Sequence, residues 1–367
     1  MRILWFNWRD ILNPEAGGAE VFTHEVMKRL SKRGHEMTLF TSRFKGCQLN
    51  ENIDGVDLIR EGNKYTVYKK AKDYLKAYNE QYDLIIDEIN TRPFFTPKFV
   101  RGKQLIALIH QLAREYWFYE TKFPLNYIGY YYLEKKWLLN YKDIMTLTVS
   151  NSSKIDLEGL HFKKILVVPE GLNVIPLSNV REKEANPTVV FLGRLKKAKL
   201  PHHALQAFSI IKHEIQDAKM WIIGDGYLRN KLESLKMKDV TFFGRISNEQ
   251  KYELLSRAQI ILVPAVREGW GLVVIEANAM GTPAIGYDVH GLRDSIKHGE
   301  TGITIKERSP EAMAQQAISL LRDSERLSKY SISALEFSKQ FSWDKTVNLF
   351  QKALNTQMDT KEDAVVS

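Results

Sequence analysis

The sequence predicts an α/β protein built from two doubly wound parallel sheets that face each other across a cleft. Short, continuously apolar runs alternate with amphipathic stretches along most of the 367 residues. Such runs are typical of strands that are buried on both faces of a sheet. The alternation restarts after a polar stretch at 178–187, which indicates a second sheet. Ligands of such sheets bind beyond the carboxyl ends of the strands.

Apolar runs and helical stretches alternate in both halves. The runs are 3–6, 37–40, 84–86, 105–109, 145–149 and 165–168 in the first half, and 189–192, 220–223, 240–243, 260–263 and 284–285 in the second. Helical stretches are expected at 19–30, 202–212, 248–256, 272–280, 309–321 and 341–355. We therefore predict domains over 1–177 and 178–340, a last helix over 341–355 and a disordered tail over 356–367.

Composition and charge exclude several classes of protein. Hydrophobic residues make up 44% of the chain, so it is not a mostly disordered protein. No apolar run approaches the roughly 18–20 residues that cross a bilayer, and the apolar start at 1–8 is too short for a signal-peptide core. Cys47 is the one cysteine, which excludes an intramolecular disulfide and favours the reducing cytoplasm. The net charge of +9 is spread over both halves, which suits an anionic ligand or membrane better than nucleic acid.

Three local patterns lie where a predicted strand gives way to a helix or a loop. Gly17 and Gly18 open the first helix, where backbone amides and the helix dipole favour an anion. His110 directly follows a buried run and can hydrogen-bond a sugar hydroxyl or a transferring group. Arg194 and Lys199 follow another strand, where a guanidinium fork and an ammonium group can together hold a diphosphate.

A fourth pattern is a glycine-rich helix start that lies between two carboxylates. Glu268 precedes Gly269 and Gly271, whose helix start can bind phosphate, and Glu276 lies deeper in the helix. A carboxylate can accept two hydrogen bonds, which suits the vicinal hydroxyls of a ribose or a hexose. The loop at 224–226 is only a turn signal, and no complete dinucleotide fingerprint follows the first strand, so NAD binding is not expected.

Together these motifs resemble glycosyltransferase family 4, the retaining nucleotide-sugar transferases of the GT-B fold, in which two Rossmann-like domains face a cleft. The segment 267–283 carries the specific part of the resemblance and reads Arg-Glu-Gly-Trp-Gly-Leu-Val-Val-Ile-Glu-Ala-Asn-Ala-Met-Gly-Thr-Pro. Leu192-Gly-Arg-Leu195 and Phe243-Gly-Arg245 also match. The resemblance covers most of the chain and implies an acceptor-side first domain, a donor-binding second domain and a last helix that crosses back to the first.

The resemblance implies a role for each matching residue. The expected catalytic residues are His110, Arg194, Lys199 and Glu268, and the expected donor-binding residues are Gly17, Gly18, Arg245, Ile246, Gly269, Trp270, Gly271, Leu272 and Glu276. Arg194 and Lys199 would bind the donor diphosphate, Glu268 and His110 would lie by the sugar, and Glu276 would hold the ribose. The expected donor is a UDP- or GDP-linked hexose, used as a co-substrate with no further cofactor.

The sequence lacks a metal-binding motif, and it differs from the family pattern in two segments. The sequence has no Asp-x-Asp motif and no cluster with metal-ligand spacing, and the resemblance also implies a metal-free reaction. The basic loop has lysines at 196, 197 and 199 where the family more often has a Lys-Gly pair, so the identity of the binding lysine stays open. Pro169-Glu-Gly-Leu-Asn173 replaces the commoner Pro-Asn-Gly-Val-Asp, and no role is assigned to it.

Two other functions stay open as alternatives. The GT-B fold alone also suits a nucleotide-sugar isomerase, although the Glu-x7-Glu element favours transfer. A basic nucleic-acid-binding protein would need basic and aromatic residues interleaved on one face, and 65–78 is the stretch that comes nearest. An amphipathic, solvated helix is the favoured interpretation of that stretch.

Aromatic residues and lysines are dense in one segment that follows His110. The aromatic residues are Tyr116, Trp117, Phe118, Tyr119, Phe123, Tyr127, Tyr130, Tyr131, Tyr132, Trp137 and Tyr141, and the lysines are Lys122, Lys135, Lys136 and Lys142. This composition suits a membrane interface with anionic lipid, although packing inside the domain accounts for at least half of the rings. It predicts a lipid-linked acceptor, reached by peripheral attachment to the cytoplasmic membrane face, with a soluble saccharide or a small molecule as the competing acceptor.

Overall fold

The structure is a computed structural model that describes the backbone of residues 1–366 and the side chains of residues 1–357. It divides the chain into two units, each with its own largely parallel sheet. The first unit contains Met1–Arg114, Phe123–Gly171 and the chain from Ser342 onward. The second unit contains Glu115–Lys122 and Leu172–Phe341. The predicted α/β class with two parallel sheets is therefore confirmed.

An eight-stranded sheet forms the centre of the first unit, in the order β3-β4-β2-β1-β5-β6-β7-β8. Its strands are β1 Arg2–Phe6, β2 Glu36–Thr41, β3 Asn50–Ile53, β4 Val56–Arg60, β5 Leu84–Glu88, β6 Gln104–Leu108, β7 Met145–Thr148 and β8 Ile165–Val167. All neighbouring pairs are parallel except β3 and β4, which pair antiparallel. These two strands lie outside the predicted runs, because their exposed residues interrupt any continuous apolar stretch.

Helices cover the sheet of the first unit. They are α1 Gly18–Lys32, α2 Val67–Tyr78, α4 Leu125–Ile128, α5 Glu134–Leu138, α6 Asn151–Gly159 and α14 Trp343–Val366, with a π-helical turn at Gly129–Leu133 before α5. Helix α2 buries Val67, Ala71 and Leu75 and leaves its lysines exposed, as an amphipathic solvated helix does. Helix α14 packs on this unit through Phe350, whose ring stacks on Trp5 with 5.4 Å between centroids.

The second unit repeats the architecture with a six-stranded parallel sheet, in the order β11-β10-β9-β12-β13-β14. Its strands are β9 Thr188–Leu192, β10 Lys219–Ile223, β11 Val240–Gly244, β12 Ile260–Val263, β13 Ala284–Tyr287 and β14 Gly302–Ile305. Its helices are α3 Tyr116–Glu120, α7 Pro201–Glu214, α8 Arg229–Glu233, α9 Asn248–Arg257, α10 Leu272–Ala279, α11 Leu292–Ser295, α12 Pro310–Leu321 and α13 Ser324–Ser338. Strand order changes direction beside β9 and β12, where a ligand crevice is expected in such sheets.

The observed segments differ from the predicted ones at the domain boundaries and in the tail. Residues 115–122 and 172–177 belong to the second unit, although the sequence places them inside a first domain over 1–177. Helix α14 continues to Val366, so the backbone is helical over most of the predicted tail, and Ser367 lies outside the described residues. Good helix formers such as Gln357, Lys361 and Ala364 in this stretch account for the longer helix. Within residues 1–366, none of the helices has the length and apolarity that crossing a membrane requires.

Candidate active site

The loop after β9 holds Arg194 and the lysines of the second unit. Strand β9 ends at Leu192, and a 3-10 turn at Lys197–Lys199 leads into α7. The backbone N–H of Leu195 donates to the carbonyl oxygen of Asp225 at 2.9 Å, so the loop at 224–226 is hydrogen-bonded to the basic loop. The Lys197 side chain is exposed, whereas Lys199 is largely buried. The structure therefore distinguishes Lys199 from Lys197 by burial, which the sequence did not show.

Lys199 forms an ion pair with Glu268, which lies 69 residues later in the chain. Both side chains are less than one-fifth exposed, so water screens the pair only weakly. Burial lowers the pKa of Lys199, but the Glu268 carboxylate outweighs burial and holds that pKa above its ordinary value. The backbone N–H of Val266 also donates to the carbonyl oxygen of Ala198 at 3.0 Å. The structure thus joins two of the predicted catalytic residues, at the ends of neighbouring strands.

The segment 115–122 contributes residues that sequence reasoning did not identify as part of this site. Glu115 accepts from Arg267 at 3.0 Å, and the Tyr116 hydroxyl donates to the Arg267 carbonyl oxygen at 3.1 Å. Burial raises the pKa of the Tyr116 hydroxyl, against the positive charges of Lys199 and Arg194. Glu120 accepts from the Ala198 backbone at 3.0 Å. No local signal could have shown these contacts, since the partners lie about 80 to 150 residues apart.

Helix α10 begins at Gly271, in the middle of the predicted glycine-rich element. Gly271 has φ of +97°, and a Cβ there would lie 2.8 Å from the Ser295 hydroxyl oxygen, so glycine is required. Trp270 is buried, and its ring packs on Phe341 with 5.2 Å between centroids. Gly269 and Leu272 are half-buried on either side. The first turn of α10 contains no acidic residue, so its amides keep their attraction for an anion.

Glu276 lies one turn further along α10 and is oriented by α9. Its Oε1 atom accepts from Lys251 at 2.6 Å and from the Tyr252 hydroxyl at 3.2 Å. Burial and the Glu276 carboxylate raise the pKa of Tyr252 well above its ordinary value, so the hydroxyl keeps its proton. Lys251 and Tyr252 were not predicted as site residues. The capping box of Ser247 and Gln250 marks the start of α9 in the sequence, but it does not show which face of α9 meets α10.

Arg245 and Ile246 follow β11, the edge strand of the second sheet. Arg245 is exposed and Ile246 is half-buried. Their expected position beside the donor base stays a prediction.

Gly17 and Gly18 lie at the start of α1 in the first unit. Gly17 has an extended backbone, with φ of −148°, and its N–H donates to a Glu20 carboxylate oxygen at 2.6 Å. Glu20 is buried and forms an ion pair of 2.8 Å with Arg9. This helix start therefore already holds a carboxylate of its own. The role of Gly17 and Gly18 at the donor phosphates stays a prediction.

His110 follows β6 in the first unit and is buried between two carboxylates. Its Nε2 atom lies 3.3 Å from Glu88, and its Nδ1 atom lies 3.4 Å from Glu170. The Phe22 ring contacts the imidazole edge-on, with 5.1 Å between centroids. The Ser153 hydroxyl donates to the His110 carbonyl oxygen at 2.9 Å. Glu170 belongs to the Pro169–Asn173 departure to which the sequence assigned no role, so this partner was missed.

Two family descriptions match the chain, one in each half. "Glycosyltransferase Family 4" matches residues 16–174, and "Glycosyl transferases group 1" matches residues 178–337. N-acetyl-alpha-D-glucosaminyl L-malate synthase of Bacillus anthracis is 32% identical over 46% of this chain, and the match spans 45% of that relative's length. The chain therefore matches less than half the length of that curated relative.

Solved structures with the same fold cover nearly the whole chain. Sucrose-phosphate synthase from Thermosynechococcus elongatus has a TM-score of 0.79 at 19% identity and covers 100% of both chains. HepE of Anabaena, solved with UDP and glucose, has a TM-score of 0.72 at 14% identity and covers 97% of this chain and 100% of its own. Both matches show the GT-B fold. The motifs, the fold and the two family matches agree, and the chain belongs to glycosyltransferase family 4.

Proposed function

We propose that the protein is a retaining, metal-independent glycosyltransferase that moves a hexosyl group from a UDP- or GDP-linked sugar to a saccharide, a small molecule or a lipid-linked acceptor. The Lys199–Glu268 ion pair carries the proposal, because it joins the basic loop after β9 to the loop that opens α10. The second unit therefore contains the cations of the basic loop, the start of α10 and the Glu268 carboxylate, which can accept hydrogen bonds from sugar hydroxyls. HepE was solved with UDP and glucose, which supports the donor class.

Charge separation is the main barrier to this reaction. The anomeric carbon becomes positive as the diphosphate leaves, and the diphosphate gains negative charge. Arg194, Lys199 and the first amides of α10 would stabilise that negative charge, since fixed donors need no reorganisation during the step. Glu268 would accept from sugar hydroxyls while it holds Lys199 in place. With no enzyme nucleophile assigned, the leaving phosphate itself would accept the proton of the acceptor hydroxyl.

Glu276 would bind the ribose of the donor. Lys251 and Tyr252 both donate to the same carboxylate oxygen, which fixes the orientation of the group before a ligand binds. A pre-oriented carboxylate binds vicinal hydroxyls with less loss of side-chain freedom. This arrangement supports a nucleotide sugar over a free sugar phosphate.

A screen of nucleotide sugars tests the proposal. Thermal shift with UDP- and GDP-sugars selects the donor, and turnover with candidate acceptors follows. We expect release of the nucleoside diphosphate together with a glycosylated product. An isomerised nucleotide sugar, with no diphosphate released, would instead identify an isomerase. Glu276→Ala and Arg194→Ala should each abolish most of the transfer in a folded protein, whereas Glu300→Ala, an exposed carboxylate of the same unit, should not.

Metal independence is tested with a chelator. Among the described residues, no three His, Cys, Asp or Glu side chains are placed to share a metal ion. The cations Arg194 and Lys199 supply positive charge for the leaving group, so we expect transfer to continue in excess EDTA. Complete loss of transfer, restored by manganese or magnesium, would overturn this part of the proposal.

The acceptor side of the proposal rests on an aromatic surface of the first unit. The exposed large apolar side chains of this surface are Phe123, Leu125, Tyr127, Ile128, Tyr131 and Tyr132. Lys135, Lys136 and Lys142 are exposed in the same segment. Exposed rings beside lysines suit the interface of an anionic bilayer, where each Lys or Arg contributes about 1 kcal/mol. We therefore propose a lipid-linked acceptor that the enzyme reaches from the cytoplasm as a peripheral membrane protein.

Flotation with vesicles tests the membrane part. The protein should float with phosphatidylglycerol vesicles at low salt, and less of it should float at high salt. A Phe123→Ser, Tyr132→Ser double variant should lose most of this binding. The matched control is Tyr65→Ser, which removes an exposed ring elsewhere on the same unit. If the protein stays soluble at low salt and converts only water-soluble acceptors, the lipid-linked acceptor is wrong.

A further inference from the structure

The two carboxylates beside His110 determine its protonation state. Each ring nitrogen lies within 3.4 Å of a carboxylate oxygen, from Glu88 on one side and from Glu170 on the other. Neither ring nitrogen makes a well-aligned hydrogen bond among the described residues, so the two contacts are electrostatic. A protonated ring is attracted to both carboxylates, whereas a neutral ring would hold a lone pair close to one of them. Burial lowers the pKa of His110, but Glu170 and Glu88 outweigh burial and raise it to about 10. The two buried carboxylates therefore favour the protonated form of the ring.

We propose that Glu170 is a positioning residue that holds His110 as an imidazolium, so that its ring does not act as a proton acceptor in the reaction. This inference rests on the proposed glycosyl transfer. Because both ring nitrogens face carboxylates, the ring has no lone pair to accept a proton from an acceptor hydroxyl. The imidazolium and its two carboxylates together carry a net negative charge, so the protonated ring holds these groups in position and supplies no net positive charge.

Glu88 is the less adjustable of the two carboxylates. It is the last residue of β5 and is fully buried. Its Oε2 atom accepts from Trp5 at 2.8 Å and from the Thr23 hydroxyl at 2.5 Å, and its Oε1 atom accepts from Asn90 at 3.4 Å and lies beside the histidine. Glu88 is thus held by β1 and α1 as well as by His110. Glu170 is the carboxylate whose loss changes the charge on His110 with least disturbance to the sheet.

Glu170 owes its position to the start of α14. The Thr346 hydroxyl donates to the Pro169 carbonyl oxygen at 2.8 Å. At the next position after Glu170, a Cβ on Gly171 would lie only 2.4 Å from the Trp343 backbone nitrogen, so this backbone passes directly over α14. Both neighbours of Glu170 are therefore fixed, and its carboxylate, which is 6% exposed, is directed at the ring.

Two carboxylates lie beside the His110 ring, Glu88 from β5 and Glu170 from the loop after β8. The other contacts of His110 are with neutral groups, the Phe22 ring of α1 and the Ser153 hydroxyl of α6. Asp87, beside Glu88 in the chain, bonds instead to Thr96 and Tyr141. The charge state of the ring thus depends on Glu88 and Glu170. Removal of one carboxylate should lower the pKa of His110, and the ring should then lose its proton as the pH rises through the neutral range.

NMR titration of histidine-labelled full-length protein tests the proposal without any substrate. The His110 signal is assigned by its absence in His110→Asn and followed from pH 5.5 to 9. We expect an imidazolium throughout in the unmodified protein and a midpoint inside this range in Glu170→Gln. The matched control, Glu158→Gln, removes an exposed carboxylate of α6 and should leave the signal unchanged. If Glu170→Gln does not fold, Glu170→Asn provides a second neutral variant.

Activity against pH tests the catalytic consequence. Transfer by Glu170→Gln should fall on the alkaline side with the midpoint that NMR gives for His110, and the unmodified protein should show no such fall below pH 9. An ordinary His110 midpoint near 6.5 in the unmodified protein, or an unchanged midpoint in both Glu170 variants, would overturn the proposal. A shifted midpoint with an unchanged activity profile would refute a role for the protonated ring in the reaction. Because the NMR result does not require turnover, failure of the proposed function would be distinguished from failure of this inference.

Discussion

Helices α1 and α10 begin with similar glycine-rich sequences, one in each unit, but their first turns differ. At the start of α1, the buried Glu20 carboxylate accepts from the Gly17 amide and pairs with Arg9. The first turn of α10 contains no acidic residue, and the carboxylate that precedes it, Glu268, is paired with Lys199. A carboxylate at a helix start offsets part of the positive end of the helix dipole. Glycine at a helix start therefore does not make an anion site by itself, and α10 is the better candidate.

The largest effect should come from the lysine beside α10. Lys199→Ala removes a buried cation that would face the leaving diphosphate, and it leaves Glu268 without its partner. Loss of one such donor typically raises the barrier by about 3–4 kcal/mol, or roughly 10²–10³-fold in kcat. Steady-state kinetics with the selected donor measures this change.

Lys197→Ala is the control for Lys199, because it removes an exposed lysine from the same loop. It should change kcat less than about threefold, as expected for a weakly coupled surface charge. Equal losses in the two variants would mean that the loop acts only through its net charge. The assignment of Lys199 would then be wrong.

The next effect concerns the carboxylate at the start of α1. Glu20→Gln keeps the shape of the side chain but leaves Arg9 as an uncompensated, largely buried charge. Breaking a buried ion pair in this way costs about 3 kcal/mol of the free energy of unfolding. The midpoint of urea denaturation, followed by circular dichroism, should fall accordingly. Glu36→Gln, an exposed carboxylate of β2, should leave the midpoint unchanged, and an equal midpoint in Glu20→Gln would remove this contrast between the helix starts.

A smaller effect separates the two glycines. Gly271→Ala places a Cβ on a residue with φ of +97° and close to Ser295, whereas Gly17→Ala changes a residue with an extended backbone. The left-handed conformation costs a non-glycine residue about 1–2 kcal/mol, and the crowding adds to that cost. We expect a fall in thermal stability for Gly271→Ala that clearly exceeds the fall for Gly17→Ala. Equal falls would show that the two helix starts are held in the same way.

Strand positions could be predicted where the side chains are apolar on both faces. Runs such as 3–6 and 220–223 coincide with β1 and β10. A parallel strand that is buried on both faces is continuously apolar, so the sequence of the strand alone is enough to predict it. β3 and β4 were missed because exposed polar side chains, namely Asn50 and Asn52 in β3 and Asp57 in β4, interrupt the apolar pattern. The assignment of 115–122 to the second unit was missed for another reason, since its anchors Arg267 and Ala198 are distant in sequence.

Site residues could be predicted as residue types at strand ends, but their partners could not. The Glu-x7-Glu element and the basic loop mark Glu268 and Lys199 in the sequence, yet nothing local shows that they pair. His110 was predicted as a sugar contact, and the structure places it between Glu88 and Glu170, which the sequence did not indicate as its partners. Partners of this kind come from different strands, so only folding brings them together.

The sequence by itself determined the fold class, the family and the residues at the strand ends. These follow from local patterns, because hydrophobic periodicity and glycine positions act over a few residues. Only the tertiary structure decided which helix start holds a carboxylate in its first turn, which lysine meets Glu268 and which carboxylates lie beside His110. Each of these depends on distances between groups far apart in the chain, and electrostatic energies inside a protein are set by such distances and by burial.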